Sequence, residues 1–235
     1  FARLAWRTLL RDLRAGELRL LMVAVTLAVA SLTAVGFFAD RLSQALNREA
    51  NQLLGGDLLM TADHPWDPRF AERARALGLR VITTTSFTSM ASTGEVAQLA
   101  GIKAVEPGYP LRGQLRVAPG LNQPDAAANG IPAPGTVWLD ERLSSALQVK
   151  SGDTVGLGET RLTVAGVITY EGDRGVNFFA IVPRLMMNAA DLPATRLIRT
   201  GSRVSYRLQF AGEPPQVETF RKWAQPRLAR GESLE

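Results

Sequence analysis

Residues 20–39 (LLMVAVTLAVASLTAVGFFA) are the longest uncharged run in the chain, and they constrain its fold more than any other feature. A helix rises about 1.5 Å per residue, so a run of this length is about 30 Å long and matches the hydrocarbon thickness of a bilayer. Helices in the cores of soluble proteins rarely need that length. The sequence therefore predicts a transmembrane helix over residues 20–39.

Basic residues before the span predict its orientation. Only Asp40 and Arg41 follow the span closely, whereas five arginines precede it: Arg3, Arg7, Arg11, Arg14 and Arg19. Because basic residues stay on the cytoplasmic side, we expect the amino end inside the cell and the rest of the chain outside. Residues 1–19 also separate arginines from leucines on a helical projection, which predicts a cytoplasmic amphipathic helix on the lipids of the inner leaflet. Packing of its charged face on other protein is the alternative.

A cleavable signal peptide is the alternative to a retained anchor. Ala28-Val29-Ala30 has the small-x-small form of a cleavage site. However, the apolar run continues for about nine residues beyond it, and Asp12 and Glu17 are unusual in the basic region of a signal peptide. We therefore expect the helix to be retained.

The net charge of +5 does not indicate nucleic acid binding. Residues 1–19 hold five arginines and two acidic residues, and the remainder holds 22 basic and 20 acidic residues, so no basic stripe is left to bind a phosphate backbone. The chain has no cysteine, which excludes disulfides and cysteine-based metal or thiol sites. Since it starts at Phe1 rather than Met, we expect a fragment whose continuation holds further spans.

The apolar helix is predicted to continue beyond the membrane as a stalk over residues 40–54. Apolar residues recur there at helical spacing up to Gly55-Gly56, and those expected to couple motion are Leu42, Ala45, Leu46 and Leu53. The glycines end the helix, and a short strand is predicted over residues 57–62.

The remaining pattern predicts an α+β domain. Asp67-Pro68 starts a helix that ends at Gly78, and residues 80–92 and 95–105 form a hairpin. Proline and glycine over residues 107–135 mark a subdomain boundary. Beyond it we expect strands over residues 136–139, 154–157, 160–170, 178–182 and 203–210, and helices over residues 141–147, 184–190 and 215–227.

The search for chemistry predicts no catalytic, cofactor or metal site. His64 is the single histidine, in a loop, and no nucleophile motif accompanies it. The run GDTVGLG (residues 152–158) lacks the Lys-Ser/Thr end of a phosphate loop, so it predicts strand turns. Oxygens of Glu171, Asp173 and Asn177 could hold calcium, but turn formation in an exposed loop is the favoured interpretation. Met186-Met187 predicts core packing rather than a soft binding surface.

Five runs resemble the FtsX family of ABC transporter permeases, of the MacB type and the mechanotransmission class. They are AWRTLLRDLRAGELRLL, QLAGIKAVEPGYPLRG, LQVKSGDTVGLG, AIVPRLMMNAADL and GSRVSYRLQF, and the likeness covers essentially the whole chain. The resemblance implies an α/β periplasmic subdomain of residues 55–112 plus 200–235, and a mainly β inserted subdomain of residues 113–199. It gives the fold class: α+β, with an interfacial helix, a span and a stalk followed by a MacB-like periplasmic domain.

The resemblance also implies function and partners. Such a permease sits in the bacterial inner membrane, spans it several times at full length, and places its large domain in the periplasm. It is non-catalytic and without a cofactor of its own, pairs with a second permease copy, and couples ATP hydrolysis by a separate cytoplasmic ABC ATPase to work on hydrophobic or lipid-like cargo. A periplasmic thioesterase/lysophospholipase is a candidate partner. A membrane-anchored extracytoplasmic sensor is the alternative function, and an anchored periplasmic enzyme is a third.

Overall fold

The computed structural model describes residues 17–94, 96–174, 181–199 and 201–235. The chain divides into two compact units, residues 1–49 and residues 50–235. The predicted amphipathic helix over residues 1–19 lies almost wholly outside the described residues, and with it Arg3, Arg7, Arg11 and Arg14.

One helix, α1, spans Glu17–Leu54 without a break. Its sequence explains its length, because alanine, leucine and other helix-compatible residues run to Leu54 with a single glycine and no proline. Within it, Arg19–Leu46 is long and apolar enough to cross a membrane, and it is the one such helix among the described residues. Its apolar side chains are exposed. The predicted span and the predicted continuation are thus one helix.

The second unit is a mixed α/β fold around one sheet. Its strands are β1 (Leu58–Ala62), β2 (Arg80–Thr93), β3 (Val96–Val105), β4 (Leu115–Ala118), β5 (Ala126–Ala127), β6 (Thr136–Asp140), β7 (Thr154–Leu157), β8 (Thr160–Glu171), β9 (Arg184–Asn188), β10 (Val204–Ala211) and β11 (Ser233–Leu234). Its helices are α2 (Pro68–Ala76), α3 (Glu141–Leu147), α4 (Leu192–Thr195) and α5 (Pro214–Ala224), with 3-10 turns at Ala189–Asp191 and Gln225–Arg227.

The strand order is β11-β1-β10-β2-β3-β9-β6-β8-β4-β5, and β7 pairs with both β2 and β8. Pairing is antiparallel except for β3 with β9 and β6 with β8, which are parallel. In the β2–β3 hairpin, strand β2 pairs with both β10 and β7. The hairpin therefore joins the strands of the predicted α/β subdomain (residues 55–112 and 200–235) to those of the predicted inserted subdomain (residues 113–199). The division into two subdomains stays a prediction.

Local signals explain most of the helix boundaries. The side chain of Asp67 accepts a hydrogen bond from the backbone N–H of Arg69 ahead of Pro68, and Asp140 accepts one from Leu143. Three hydrophobic clusters form the core: one under α3, one between α2, α5 and strands β1 and β10, and one around Ile82 and Met186.

The predicted helix over residues 184–190 is wrong. Residues Arg184–Asn188 form strand β9, which lies between β3 and β6 and is buried along its whole length. Leucine and methionine favour helices locally, but pairing on both edges of the strand overrides that preference. In the predicted strand 178–182, residues 178–180 lie outside the described residues. Residues 107–135, where a subdomain boundary is predicted, contain the short strands β4 and β5.

Candidate functional site at the end of the long helix

Helix α1 ends at Leu54, directly before two glycines that pack closely against neighbouring residues of the sheet. Gly55 has a φ of +70°, a left-handed conformation that favours glycine, and a Cβ there would lie 2.8 Å from Asp173 Oδ2. A Cβ on Gly56 would lie 2.8 Å from the backbone oxygen of Phe210. Both positions therefore need a residue without a side chain.

Gln209 of β10 ties the last residue of α1 to the sheet. Its Nε2 donates hydrogen bonds to the backbone oxygen of Leu54 at 2.9 Å and to Asp173 Oδ2 at 3.0 Å. The side chain is fully buried, so these bonds do not compete with bulk solvent. Just beyond the glycines, the backbone N–H of Asp57 donates to the oxygen of Phe210 at 2.7 Å. The helix end is thus bonded to one strand at two points.

A buried lysine is the centre of this region. Lys103 Nζ donates to Tyr109 Oη at 2.7 Å, to Glu171 Oε1 at 2.8 Å and to both oxygens of Asp173 at 2.9 Å. Arg184 Nε donates to Glu171 Oε2 at 2.9 Å, and the Tyr109 hydroxyl donates to Asp173. We call the following six buried residues the junction cluster: Lys103, Tyr109, Glu171, Asp173, Arg184 and Gln209.

Strand register brings the cluster together. Gly101 pairs with Arg184 and Lys103 with Met186, so Lys103 and Arg184 lie on the same face of the sheet, because side chains alternate along a strand. Glu171 at the end of β8 contacts this face, and Asp173 follows after one glycine. Residues from four strands and two connecting segments therefore meet beside the end of α1.

The cluster is electrically balanced. Burial raises the pKa of Glu171, but the positive charges of Lys103 and Arg184 more than offset this and lower it to about 2. Burial, and then the charges of Asp173 and Glu171, raise the pKa of Tyr109 well above its ordinary value. At neutral pH, Glu171 is therefore ionised and Tyr109 is a neutral hydrogen-bond donor.

A second set of hydrogen bonds, made by Arg112, holds the segment around the two glycines. Arg112 Nε and Nη2 donate to the two carboxylate oxygens of Asp57 at 2.9 and 2.8 Å, and the backbone N–H of Arg112 donates to Gly55 O at 3.1 Å. Burial raises the pKa of Asp57, but the hydrogen bonds from Arg112 and Gly212 outweigh it, and the net pKa is lowered. This fork geometry fixes the direction in which the chain leaves the helix.

Hydrogen bonding on the same sheet face is incomplete. Among the described residues, five buried side-chain polar atoms have no partner, and four of them lie on this face: Thr84 Oγ1, Arg184 Nη1, Arg207 Nε and Gln209 Oε1. Thr84 and Arg207 are cross-strand partners. An unsatisfied buried polar atom costs free energy, so this is the least well satisfied part of the described interior.

A crevice of about 490 Å³ opens beside the cluster. Its lining combines apolar and charged side chains, among them Leu53, Leu59, Tyr170, Arg174 and Arg207. No group of three or more His, Asp or Glu residues that could hold a metal ion occurs in the described part of the chain. Chemically, the arrangement joins the helix end to Gln209 by a neutral hydrogen bond and joins Gln209 to Asp173 by a charge-assisted one.

The structure does not bring together the residues that the sequence predicts to orient the span in the membrane and to couple motion along the stalk. Arg19 is exposed near the start of α1, and Leu42, Ala45 and Leu46 are exposed along it. Leu53 alone among these reaches the site, where it lines the crevice. Their roles stay predictions.

The interpretation of Glu171 and Asp173 as turn formers in an exposed loop is wrong. Both carboxylates are buried and engaged by Lys103, so they are not available as calcium ligands, and Asn177 lies outside the described residues. His64 is at the surface, beside Asp63 and Glu232. Met186 and Met187 are fully buried, which confirms core packing, and GDTVGLG forms β7 and its turns.

Sequence reasoning missed Lys103, Tyr109, Arg184 and Gln209. One signal was available: Lys103 is the single charge in the otherwise uncharged strand β3. Charged side chains are almost never buried unless paired, so a lysine in such a strand indicates a buried partner. Nothing in the sequence identified that partner.

Comparison with known proteins identifies the family to which the chain belongs. Residues 20–218 match the family described as the MacB-like periplasmic core domain. The chain is 35% identical over 218 residues to the ABC transporter permease YbbP of Escherichia coli (strain K12). That alignment covers 93% of this chain but 26% of the permease, so the chain spans about a quarter of its relative's length.

Two solved structures are among those that the chain matches. The periplasmic region of MacB from Actinobacillus actinomycetemcomitans has a TM-score of 0.49 at 13% identity, covering 79% of this chain and 91% of that chain. The extracellular domain of the ABC-type transporter YknZ from Gram-positive bacteria has a TM-score of 0.47 at 11% identity, covering 76% and 99%.

Proposed function

This chain belongs to the family of MacB-like periplasmic core domains, and from that premise we propose that it is the permease subunit of an ABC transporter whose helix α1 drives the outer domain through the junction cluster. The observation that carries the proposal is the family match, which begins in the apolar helix and continues through the domain over residues 20–218. Permeases are the non-catalytic subunits of such transporters, and the chain is a homologue of one.

The contacts at the helix end support a mechanical role. A movement of Leu54 pulls on Gln209, which shares Asp173 with Lys103. Lys103 holds the end of β8 through Glu171, and β8 pairs with β4, β6 and β7. A displacement of the helix end is therefore transmitted first by the neutral hydrogen bond between Gln209 and Leu54, and from Gln209 to residues 113–199 by charge-assisted bonds, which are roughly twice as strong as neutral ones. Leu42, Ala45, Leu46 and Leu53 are proposed to lie on the part of α1 that transmits this movement.

The partners follow from the class of transporter. A permease implies a partner ATPase, and we propose that it is a separate cytoplasmic chain, that ATP binds there rather than on this chain, and that two permease copies pair. We place the span in the bacterial inner membrane with Arg19 on the cytoplasmic side and the domain in the periplasm, where the work is done on a hydrophobic or lipid-like substrate. A periplasmic thioesterase/lysophospholipase is the proposed accessory enzyme.

Affinity purification tests this proposal. The full-length protein is extracted from membranes in mild detergent, and the proteins that accompany it are identified and quantified by mass spectrometry. The expected result is an ABC ATPase in equal amount. Its reproducible absence, together with a kinase or cyclase domain on the same chain, would instead establish a membrane-anchored sensor.

A further inference from the structure

Three arginines stack on aromatic rings in the groove between α2 and α5. The guanidinium carbon of Arg69 lies 5.2 Å from the ring centre of Phe70, and those of Arg73 and Arg227 lie 6.0 and 4.7 Å from the ring centre of Trp223. Together with Trp66, these residues form what we call the arginine–aromatic groove. It contains three of the four cation–π contacts found among the described residues.

The rings of the groove are held rigidly. Trp66 and Phe70 meet edge to face with centres 5.4 Å apart, and Phe70 and Trp223 do so at 5.7 Å. Trp66 Nε1 donates to the backbone oxygen of Tyr206 at 3.1 Å, and Phe70 is fully buried. A guanidinium stacked on a fixed ring loses little further freedom when it binds. Arg227 Nη1 donates to the backbone oxygen of Trp223, and its other N–H groups stay available for a carboxylate.

Charge is concentrated on this helical layer. Residues 67–80 and 213–230 hold eight basic and four acidic residues, whereas the rest of residues 50–235 holds twelve basic and fourteen acidic residues. Two of the four acidic residues are engaged locally, Asp67 with Arg69 and Glu218 with Lys222. Arg73, Arg75 and Arg227 are exposed and form no ion pair within the described residues.

We propose that the arginine–aromatic groove docks an acidic segment of a partner protein. Tryptophan and arginine dominate the binding energy of protein interfaces, and opposite charge selects the partner and speeds its association. A membrane surface fits less well, because membrane-surface helices insert apolar side chains, and no large apolar side chain of residues 66–80 or 213–230 is exposed. This docking role is separate from the proposed relay through the junction cluster.

A binding measurement tests the proposal on the full-length protein in nanodiscs of phosphatidylcholine. The probe is a fluorescent oligoglutamate peptide, and its affinity is followed by anisotropy. The variant Arg73→Gln/Arg227→Gln is compared with Arg161→Gln/Arg203→Gln, which removes the same charge from exposed positions outside the groove. The groove variant is expected to bind at least about tenfold more weakly, and the control variant within about twofold of wild type.

Equal weakening by the two variants would overturn the proposal, since it would show attraction by net charge alone. Phosphatidylglycerol vesicles that displace the peptide more effectively than unlabelled peptide does would also overturn it, in favour of a lipid surface. If Arg73→Gln/Arg227→Gln does not fold, the single variant Arg227→Lys is used instead, because lysine keeps the positive charge. Arg227→Lys is expected to weaken binding about threefold, because lysine lacks the planar guanidinium that lies over the ring of Trp223. Unchanged affinity would contradict the stacked geometry.

Discussion

Lys103 Nζ lies 2.8 Å from Glu171 Oε1 although the two residues are 68 positions apart, and both side chains are at most 2% exposed. Their pairing fixes the end of β8 against β3 and, through Asp173 and Gln209, against the last residue of α1. A buried ion pair contributes little net stability because desolvation offsets the attraction, whereas breaking it is costly. Such a pair suits a joint that must hold one geometry.

Lys103→Met is expected to lower the free energy of unfolding by about 3–5 kcal/mol, because Glu171 and Asp173 then share one buried site without the ammonium. Urea unfolding followed by tryptophan fluorescence measures the change. Lys150→Met, at an exposed position, is the matched control and is expected to change stability by less than about 0.5 kcal/mol. Equal effects of the two variants would show that the cluster is not the buried unit described.

Removing a matching negative charge should restore part of the loss. Lys103→Met/Asp173→Asn takes one cation and one anion from the cluster, so the double variant is expected to be more stable than Lys103→Met alone. The same urea titration measures it. Additive losses from the two substitutions would contradict the direct contact between these side chains.

The free energy of unfolding should also depend on pH through the ionisation of Glu171. Its pKa is about 2 in the folded protein against an ordinary value of 4.5, so the stability it provides is complete above pH 4.5 and is lost as the pH falls toward 2. Urea midpoints are measured across that window. Glu171→Gln is expected to flatten the decline, whereas Glu141→Gln, at an exposed position, is expected to retain it. A decline of equal size in Glu171→Gln would assign the acid sensitivity to other groups.

Gly55→Ala tests the close approach at the helix end. The substitution combines a left-handed φ with a Cβ 2.8 Å from Asp173 Oδ2, and about 2–4 kcal/mol of destabilisation is expected. Gly152→Ala is the control, because Gly152 also has a positive φ but nothing lies within 4 Å of its Cβ position, so about 1 kcal/mol is expected. The difference between the two losses of stability measures the steric contact, and a difference near zero would contradict it.

Gln209→Leu removes the hydrogen bonds to Leu54 and Asp173 while keeping a similar volume. The backbone amide of Asp57 bonds to the oxygen of Phe210, and that of Arg112 bonds to the oxygen of Gly55. Both amides are expected to exchange hydrogen about tenfold faster in this variant than in the wild type. Hydrogen-exchange mass spectrometry detects this, with exposed Gln225→Leu as the control. Unchanged exchange in Gln209→Leu would remove Gln209 from the coupling.

Elements with strong local signals could be predicted from the sequence. The apolar run of α1, the break at Gly55-Gly56 and the capping residues Asp67 and Asp140 each depend on a few neighbouring positions. The hairpin of β2 and β3 follows from β-branched residues on both sides of a glycine turn. In these elements the local preference and the tertiary structure agree.

The junction cluster could not be predicted, because its contacts join residues far apart in the chain. Glu171 and Asp173 follow Tyr170 in a segment that looks like a polar turn, and only the Lys103 side chain from another strand makes their burial tolerable. The error over Arg184–Asn188 has the same origin, since the neighbours of β9 in the sheet come from residues about 50 to 80 positions earlier. Local sequence contains no record of such pairings.

The most direct test of the relay follows hydrogen exchange in the full-length permease bound to its partner ATPase, with and without a non-hydrolysable ATP analogue. Exchange over residues 168–174 and 205–211 is expected to change on nucleotide binding in the wild type. Ala45→Pro, which removes a hydrogen bond and kinks α1, is expected to abolish the change, and Ala45→Ser to keep it. The account is contradicted if nucleotide leaves both segments unchanged in the wild type, or if the change persists in Ala45→Pro.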